Sequence, residues 1–209
     1  MTTVAEFVIG GSTEPWSAIG VDFSSDGRAN AGNTWIHCDV QLLPGLHSWV
    51  LCDAAQAVSS IDGLVTTYVD DVPALNIGST DLASHSFQLK IVGVDHVVVN
   101  TSDPQRTSDA LVGATGAPLK RVRDAGNGLQ QWFHRLGGVI VEIVSSPQIR
   151  DGSASFWGLV LVVDNIQDVF NHVGPDVLSP PKPAVQLGRS IATFRSAAGL
   201  GMPCALMNR

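Results

Sequence analysis

Two apolar runs bound the stretch that decides the fold: Asp95-His96-Val97-Val98-Val99 at its start and Val139-Ile140-Val141-Glu142-Ile143-Val144 at its end. Between them, Asp103 can cap a helix whose first position is Pro104. A turn-rich passage and a glycine hairpin follow. The stretch therefore predicts the order strand, helix, strand, strand, strand.

The Gly137-Gly138 hairpin predicts which side chains share a face. If Leu136 pairs with Val139, then Arg135 opposes Ile140 and Phe133 opposes Glu142. Because side chains alternate along a strand, one face carries Gln131, Phe133, Arg135, Ile140 and Glu142. His134 and Trp132 are expected on the other face.

The same pattern recurs 62 residues later. His96 then falls on Gly158, and Glu142 falls on Ala205 after a one-residue insertion. The later copy contains the clearest helical period, with Ile166, Val169, Phe170 and Val173 on one face, Asp164 or Asn165 as the cap and Gly174 as the stop. The chain is therefore expected to be internally duplicated.

These paired units resemble the vicinal oxygen chelate superfamily, which includes glyoxalase I, extradiol dioxygenases, methylmalonyl-CoA epimerase and bleomycin-resistance proteins. The resemblance rests on residues 94–98, the Asp103-Pro104 helix start, residues 133–138 with Glu142, and, in the second copy, residues 156–159 and 202–207. It implies an α+β fold of tandem βαβββ modules whose mixed sheets curl. The predicted organisation is a degenerate module at 1–58, a connector at 59–90 with one strand at Leu64 to Val69, and a glyoxalase-like domain at 91–209, divided into modules 91–147 and 155–209.

The resemblance also implies a site in the hollow of the sheet. In this superfamily, a His from the first strand and a Glu from the last strand of each module hold a divalent ion, which corresponds here to His96 and Glu142. Their counterparts Gly158 and Ala205 cannot bind a metal. His37, with Glu6 or Cys52, could supply further ligands if the first unit packs against the central one, although Ala5 and Leu51 fit the same alignment.

The implied roles follow from these positions. Nickel, zinc, manganese or iron is the expected cofactor, with Glu142 as the catalytic residue. Gln131, Phe133, Arg135 and Arg195 are the candidate substrate-binding residues.

Each candidate also has a structural interpretation. Glu142 lies inside an apolar run, where burial is costly unless a cation or donors satisfy the carboxylate, and Arg135 on the same face is one such partner. His96 could simply bond to backbone at a strand end. Arg189 and Arg195 suit an anionic substrate, or could pair with acidic groups at a sheet edge.

Composition narrows the class of protein. The 209 residues carry a formal net charge of -7 with only 12 Lys and Arg, which disfavours a nucleic-acid or anionic-membrane surface. A basic leader followed by a long apolar run is missing at the start, so a cytoplasmic location is expected, with the three Cys as reduced, mostly buried thiols. A homodimer could cover an unpaired sheet edge.

Three hypotheses about function remain. One is a metal-assisted isomerase or lyase acting on a small oxygen-rich metabolite, with the ion as a Lewis acid. Another is a metal-free protein of the drug-sequestering, bleomycin-resistance type, in which Trp132, Phe133 and Trp157 matter more than His96. A third is a structural module that dimerises through the hollow face.

Overall fold

The computed structural model describes residues 1–70 and 87–209, which form two mixed β-sheets. Sheet A contains six strands from the first third of the chain, and sheet B contains eight strands from residue 91 onward.

The first module of sheet B has the predicted order. It consists of β7 (Ile91–Asn100), α2 (Pro104–Thr115), β8 (Arg121–Gly126), β9 (Leu129–Leu136) and β10 (Val139–Ser145). The side chain of Asp103 accepts a hydrogen bond from the backbone N–H of Arg106 and so caps α2, while Gly116 ends the helix with φ 70°. β9 and β10 pair in the predicted hairpin register, with Leu136 opposite Val139 and Phe133 opposite Glu142.

The second module repeats the order with shorter strands. It consists of β11 (Ser155–Val163), α3 (Ile166–Val173), β12 (Lys182–Pro183), β13 (Ser190–Thr193), a 3₁₀ turn (Ser196–Ala198) and β14 (Cys204–Asn208). Asn165 caps α3 by accepting hydrogen bonds from the backbone N–H groups of Gln167 and Asp168.

The two modules join through their first strands. The order of sheet B is β12-β13-β14-β11-β7-β10-β9-β8, and β7 and β11 are antiparallel. In each module the first and last strands are parallel, as β7 with β10 and β11 with β14. The prediction of an α+β, glyoxalase-like fold is therefore confirmed.

Sheet A is built from the N-terminal residues. Its elements are β1 (Thr3–Gly10), α1 (Glu14–Ala18), β2 (Arg28–Ala31), β3 (Thr34–Asp39), β4 (Gly45–Cys52), β5 (Ser60–Ile61) and β6 (Leu64–Val69). Their order is β2-β3-β1-β4-β6-β5, with β1 parallel to β3, β4 parallel to β6, and β1 antiparallel to β4.

This order makes sheet A a reduced version of sheet B. Each half of sheet A has three strands instead of four, and the halves again meet at an antiparallel central pair. The strand predicted at Leu64 to Val69 is present as β6. Together with β5, it lies in the stretch assigned from sequence to a connector, and both strands belong to sheet A. Residues 71–86 of the predicted connector lie outside the described residues.

The two sheets share one apolar core. Val97, Val141 and Leu159 from sheet B are fully buried together with Phe7 and Trp49 from sheet A. The ring of Trp49 meets that of Phe156 edge to face, with centroids 5.2 Å apart. Because side chains alternate along each strand, this packing leaves the opposite face of sheet B for the residues around His96.

Two further predictions concern the thiols and the membrane. Cys38, Cys52 and Cys204 are buried and unbonded to one another, and burial raises the pKa of the Cys204 thiol to about 12. Among the described residues, the structure contains no helix long and apolar enough to cross a membrane.

Candidate functional site

A cavity of about 690 Å³ opens on the face of sheet B that points away from sheet A. One wall comes from β8, β9 and β10, and the other from β12, β13 and the residues that follow β12. Its volume lies in the range that suits a small-molecule ligand. The side chains that line it include His96, Lys120, Arg121, Arg123, Gln131, Phe133, Arg135, Glu142, Lys182, Ala184, Gln186, Ile191 and Met207.

The β9–β10 hairpin positions the first wall. Gln131, Phe133, Arg135, Ile140 and Glu142 all line the cavity, which is the set that strand alternation predicted. His96 lies beside them because β7 pairs with β10, with His96 opposite Ile140.

His96 lies between two carboxylates. Its Nδ1 is 2.9 Å from Oδ2 of Asp95, and its Nε2 is 3.5 Å from Oε2 of Glu142. Since Asp95 accepts at Nδ1, it favours the tautomer with the proton there and leaves Nε2 directed toward Glu142 and the cavity. The imidazole is thus oriented by its own neighbour in sequence.

Asp95 is itself held in place. Nη1 of Arg189 contacts Oδ1 of Asp95, and Nε2 of Gln186 is 3.4 Å from its Oδ2. Burial alone would raise the pKa of the Asp95 carboxyl, but the hydrogen bonds from His96 and Arg189 prevail and lower that pKa to about 2. Arg189 therefore pairs with an acidic group, but that group lies on the central strand β7 and is 9% exposed, not on the solvated side of a sheet edge as predicted.

The Glu142 carboxylate accepts a hydrogen bond from an amide and does not form the ion pair that was considered from the sequence. Its Oε1 accepts a hydrogen bond from Nε2 of Gln131, while Nε of Arg135 donates to the carbonyl of Gly137 at 3.1 Å. The alternative of a Glu142–Arg135 pair is wrong, because the Arg135 guanidinium binds to the backbone of the β9–β10 hairpin. The buried Oε1 of Gln131 has no hydrogen-bond partner within the described part of the chain.

Other sequence candidates lie elsewhere. The structure does not bring Arg195 to the cavity, since β13 ends at Thr193 and Nε of Arg195 donates to the carbonyl of Pro175. The predicted alternation therefore stops before Arg195. His134 points to the opposite face, where Nε2 lies 2.9 Å from Oγ of Ser108, and burial lowers its pKa.

His37 and Glu6 form a separate cluster in sheet A. Oε2 of Glu6 is 2.6 Å from Nε of Arg28, and Oε1 is 3.4 Å from Nδ1 of His37. Cys52 is also in sheet A, on β4. These candidates are therefore not part of the cavity around His96.

The donor set fits one divalent ion through two side chains. Metal–ligand bonds of about 2.1 Å in tetrahedral geometry place neighbouring donor atoms roughly 3.4 Å apart, and Nε2 of His96 lies 3.5 Å from Oε2 of Glu142. The unpartnered amide oxygen of Gln131 adds a neutral oxygen donor beside them. Among residues 1–70 and 87–209, no three His, Cys, Asp or Glu side chains gather as a metal group, so the other positions on an ion would fall to Gln131, water or ligand oxygens.

Four lining cations were missed by the sequence analysis. Arg121 and Arg123 lie on β8 opposite Phe133 and Gln131, and Lys120 and Lys182 also line the cavity. The signal was available for the two arginines, because extending the hairpin register by one strand places them on the face of Glu142.

The second-module side of the cavity is mostly apolar, and Lys182 and Gln186 are its polar lining residues. Val160, Ala205 and Met207 form a small buried cluster, against which Ala184 and Ile191 pack. Ala205 occupies the place that corresponds to Glu142, since Val160 pairs with Ala205 as Val98 pairs with Glu142. The strand register thus agrees with the 62-residue repeat about which residue corresponds to Glu142.

No family model matches the chain, and no curated protein matches it. Solved structures with similar folds include methylmalonyl-CoA epimerase from Mycobacterium tuberculosis, at 11% identity and a TM-score of 0.45, covering 56% of this chain and 88% of that one. A hypothetical protein from Bacillus halodurans C-125 has 17% identity and a TM-score of 0.45 over 56% of this chain and 93% of that one. Methylmalonyl-CoA epimerase of Streptomyces coelicolor, in complex with 2-nitronate-propionyl-CoA, has 11% identity and a TM-score of 0.45 over 58% of this chain and 98% of that one.

The class of protein is defined by sheet B itself. Residues 91–209 form a pair of βαβββ modules joined through antiparallel first strands. This is the α+β fold of tandem βαβββ modules that the resemblance in the sequence implies. The cavity lies on the face of sheet B that points away from sheet A.

Proposed function

We propose that the cavity of sheet B binds a small oxygen-rich metabolite and catalyses a metal-assisted isomerase or lyase reaction. The observation that carries this proposal is the His96–Glu142 pair, which lines the cavity with donor atoms 3.5 Å apart. The side chains of His96 and Glu142 are only 16% and 12% exposed, so their desolvation is costly, and a bound ion or ligand would offset that cost.

The residues have distinct roles in this proposal. His96 and Glu142 would hold the ion, and Asp95 fixes the imidazole with Nε2 toward the cavity. When bound, a divalent ion supplies Lewis acidity to the vicinal oxygens of a substrate. Glu142 is the carboxylate placed to exchange a proton with the ligand, while Gln131, Phe133 and Arg135 orient it from the same wall.

A metal-free binding protein is the second candidate function. The apolar lining residues Ala184, Ile191 and Met207 favour it, because they offer a ligand apolar contact area and no reactive group. In that case the His96–Glu142 pair orients a polar end of the ligand.

Metal content decides between the two. The protein would be purified without a chelating tag and measured by elemental mass spectrometry, beside His96→Ala and Glu142→Ala. His172→Ala is the matched control, since His172 lies on α3 and stacks with Phe87. Near-stoichiometric metal that is lost in both site variants and kept in the control supports the enzyme.

The opposite result is equally informative. If the parent binds no metal after incubation with nickel, zinc, manganese and ferrous iron, the chelate mechanism fails here. The binding protein then becomes the better description, and its ligand is to be sought among apolar molecules with one polar end.

A further inference from the structure

The cavity carries an unusual share of the chain's positive charge. Five side chains that line it are cationic, namely Lys120, Arg121, Arg123, Arg135 and Lys182, out of 12 Lys and Arg in a chain of net charge -7. Within the described residues, Glu142 is the only carboxylate that lines it. The cavity is therefore positive in a protein that is negative as a whole.

The described carboxylates of the protein do not pair with these five cations. In the part of the chain that the structure describes, none of the five forms an ion pair with a carboxylate. Other arginines do so, as Arg28 with Glu6 and Arg189 with Asp95. Like charges lining one concave surface repel each other and attract a counter-ion, so the arrangement suits an anionic ligand.

The register locates the densest part of this charge. Arg121 opposes Phe133, which opposes Glu142, and Arg123 opposes Gln131. Adjacent strands are about 4.8 Å apart, so the backbone of Arg121 lies roughly 10 Å across the sheet from that of Glu142. A ligand that reaches both has its anionic group a few bonds away from its reacting oxygens.

We propose that the ligand of this cavity is a phosphate monoester or phosphonate, whose dianionic group binds to Arg121 and Arg123. Lys120 is a third cation beside them, so that residues 120–123 contribute three cations to the cavity. One arginine fork satisfies a carboxylate, whereas two forks and an ammonium match the three oxygens of a phosphate. The inference rests on the proposed function only for the opposite end of the ligand, at His96 and Glu142.

Calorimetric titration with glycerol 3-phosphate tests this assignment, with inorganic phosphate and succinate as comparison probes. Arg121→Gln with Arg123→Gln is expected to weaken glycerol 3-phosphate binding about tenfold or more, because each removes a charge-assisted contact. Lys90→Gln with Arg150→Gln makes the same change in net charge at two exposed sites outside the cavity and is expected to change the affinity by less than about twofold.

The results separate this inference from the proposed function. The inference is overturned if both double variants weaken the binding of glycerol 3-phosphate equally, or if succinate binds as tightly as glycerol 3-phosphate. It is also overturned if the parent binds no phosphate at about 10 mM. Tighter binding of glycerol 3-phosphate than of inorganic phosphate identifies a phosphate ester rather than the free ion as the ligand, and the reverse order overturns the ester assignment. If phosphate probes bind while the protein takes up no metal, the anion site stands and the metal-assisted reaction falls.

Discussion

Sheets A and B place the same kinds of side chain at corresponding positions, with opposite results. In sheet B, His96 on the first strand faces Glu142, two residues beyond the partner of His96 on the parallel last strand. In sheet A, Glu6 on β1 pairs with Trp35, and His37 stands two residues further on. The histidine and the glutamate have exchanged strands.

The third member of each cluster explains the difference. In sheet A, the Arg28 guanidinium satisfies Glu6 directly. In sheet B, the neutral amide of Gln131 donates the corresponding hydrogen bond to Glu142. The amide oxygen of Gln131 has no hydrogen-bond partner among the described residues. A built-in cation neutralises Glu6 in sheet A, whereas no Lys or Arg among the described residues pairs with Glu142 in sheet B, which under the proposed function is available to a ligand or an ion.

The largest expected effect comes from removing the cation of the cluster in sheet A. Arg28→Met leaves the buried Glu6 carboxylate with His37 alone and is expected to lower the free energy of unfolding by about 3 kcal/mol, at the low end for a broken buried pair because Arg28 is partly exposed. Urea unfolding measures the change. Arg123→Met, which removes a cation that has no ion pair among the described residues, should change the free energy of unfolding by no more than about 0.5 kcal/mol. Similar values for the two variants would remove the contrast between the clusters.

The next effect concerns a residue that sheet A lacks. Asp95 precedes His96, whereas the buried Ala5 precedes Glu6. Because folding lowers the Asp95 pKa from 3.8 to about 2, the carboxylate stabilises the folded state above about pH 4, and this contribution disappears as pH falls toward 2.

Asp95→Asn is therefore expected to cost about 2 kcal/mol at neutral pH. The difference from the parent should shrink between about pH 4 and pH 2, which urea unfolding over a pH series would show. A difference that is independent of pH would mean that Asp95 acts through packing and not through its charge.

The smallest effect on stability should come from adding a cation to the cluster in sheet B. Gln131→Arg places a guanidinium beside Glu142, as Arg28 stands beside Glu6, and is expected to change the free energy of unfolding by less than about 1 kcal/mol. Metal uptake should nevertheless fall sharply, because the carboxylate then has a permanent cation. Gln131→Met is the size-matched control without charge, and equal metal uptake by both variants would contradict this account.

The sequence was most informative where short-range rules apply. The caps at Asp103 and Asn165, the Gly137-Gly138 hairpin and strand alternation placed Gln131, Phe133 and Glu142 on one face, as observed. The 62-residue repeat identified the second module, in which Gly158 and Ala205 stand at the places of His96 and Glu142. These features depend on neighbours in sequence or on one hairpin register.

The features that were missed depend on distant pairing. Arg195 was expected on the face of Ile191, but β13 ends before it, and strand ends depend on the partner strand. The Arg189–Asp95 contact joins residues from different modules, so no local pattern predicts it. The paired organisation of sheet A was also hidden, since its second half has no helix and its last strands, β5 and β6, have no sustained period.

The shared core between the sheets has a consequence during synthesis of the chain. Sheet A is made first, but Trp49 lies against Phe156, which emerges only after the whole first module of sheet B. Until then, the apolar face that contains Phe7, Trp49 and Leu51 lacks its cover and is exposed to other chains. The nascent N-terminal third is therefore expected to be prone to aggregation until Phe156 has emerged, and slowing elongation before residue 156 should increase aggregation.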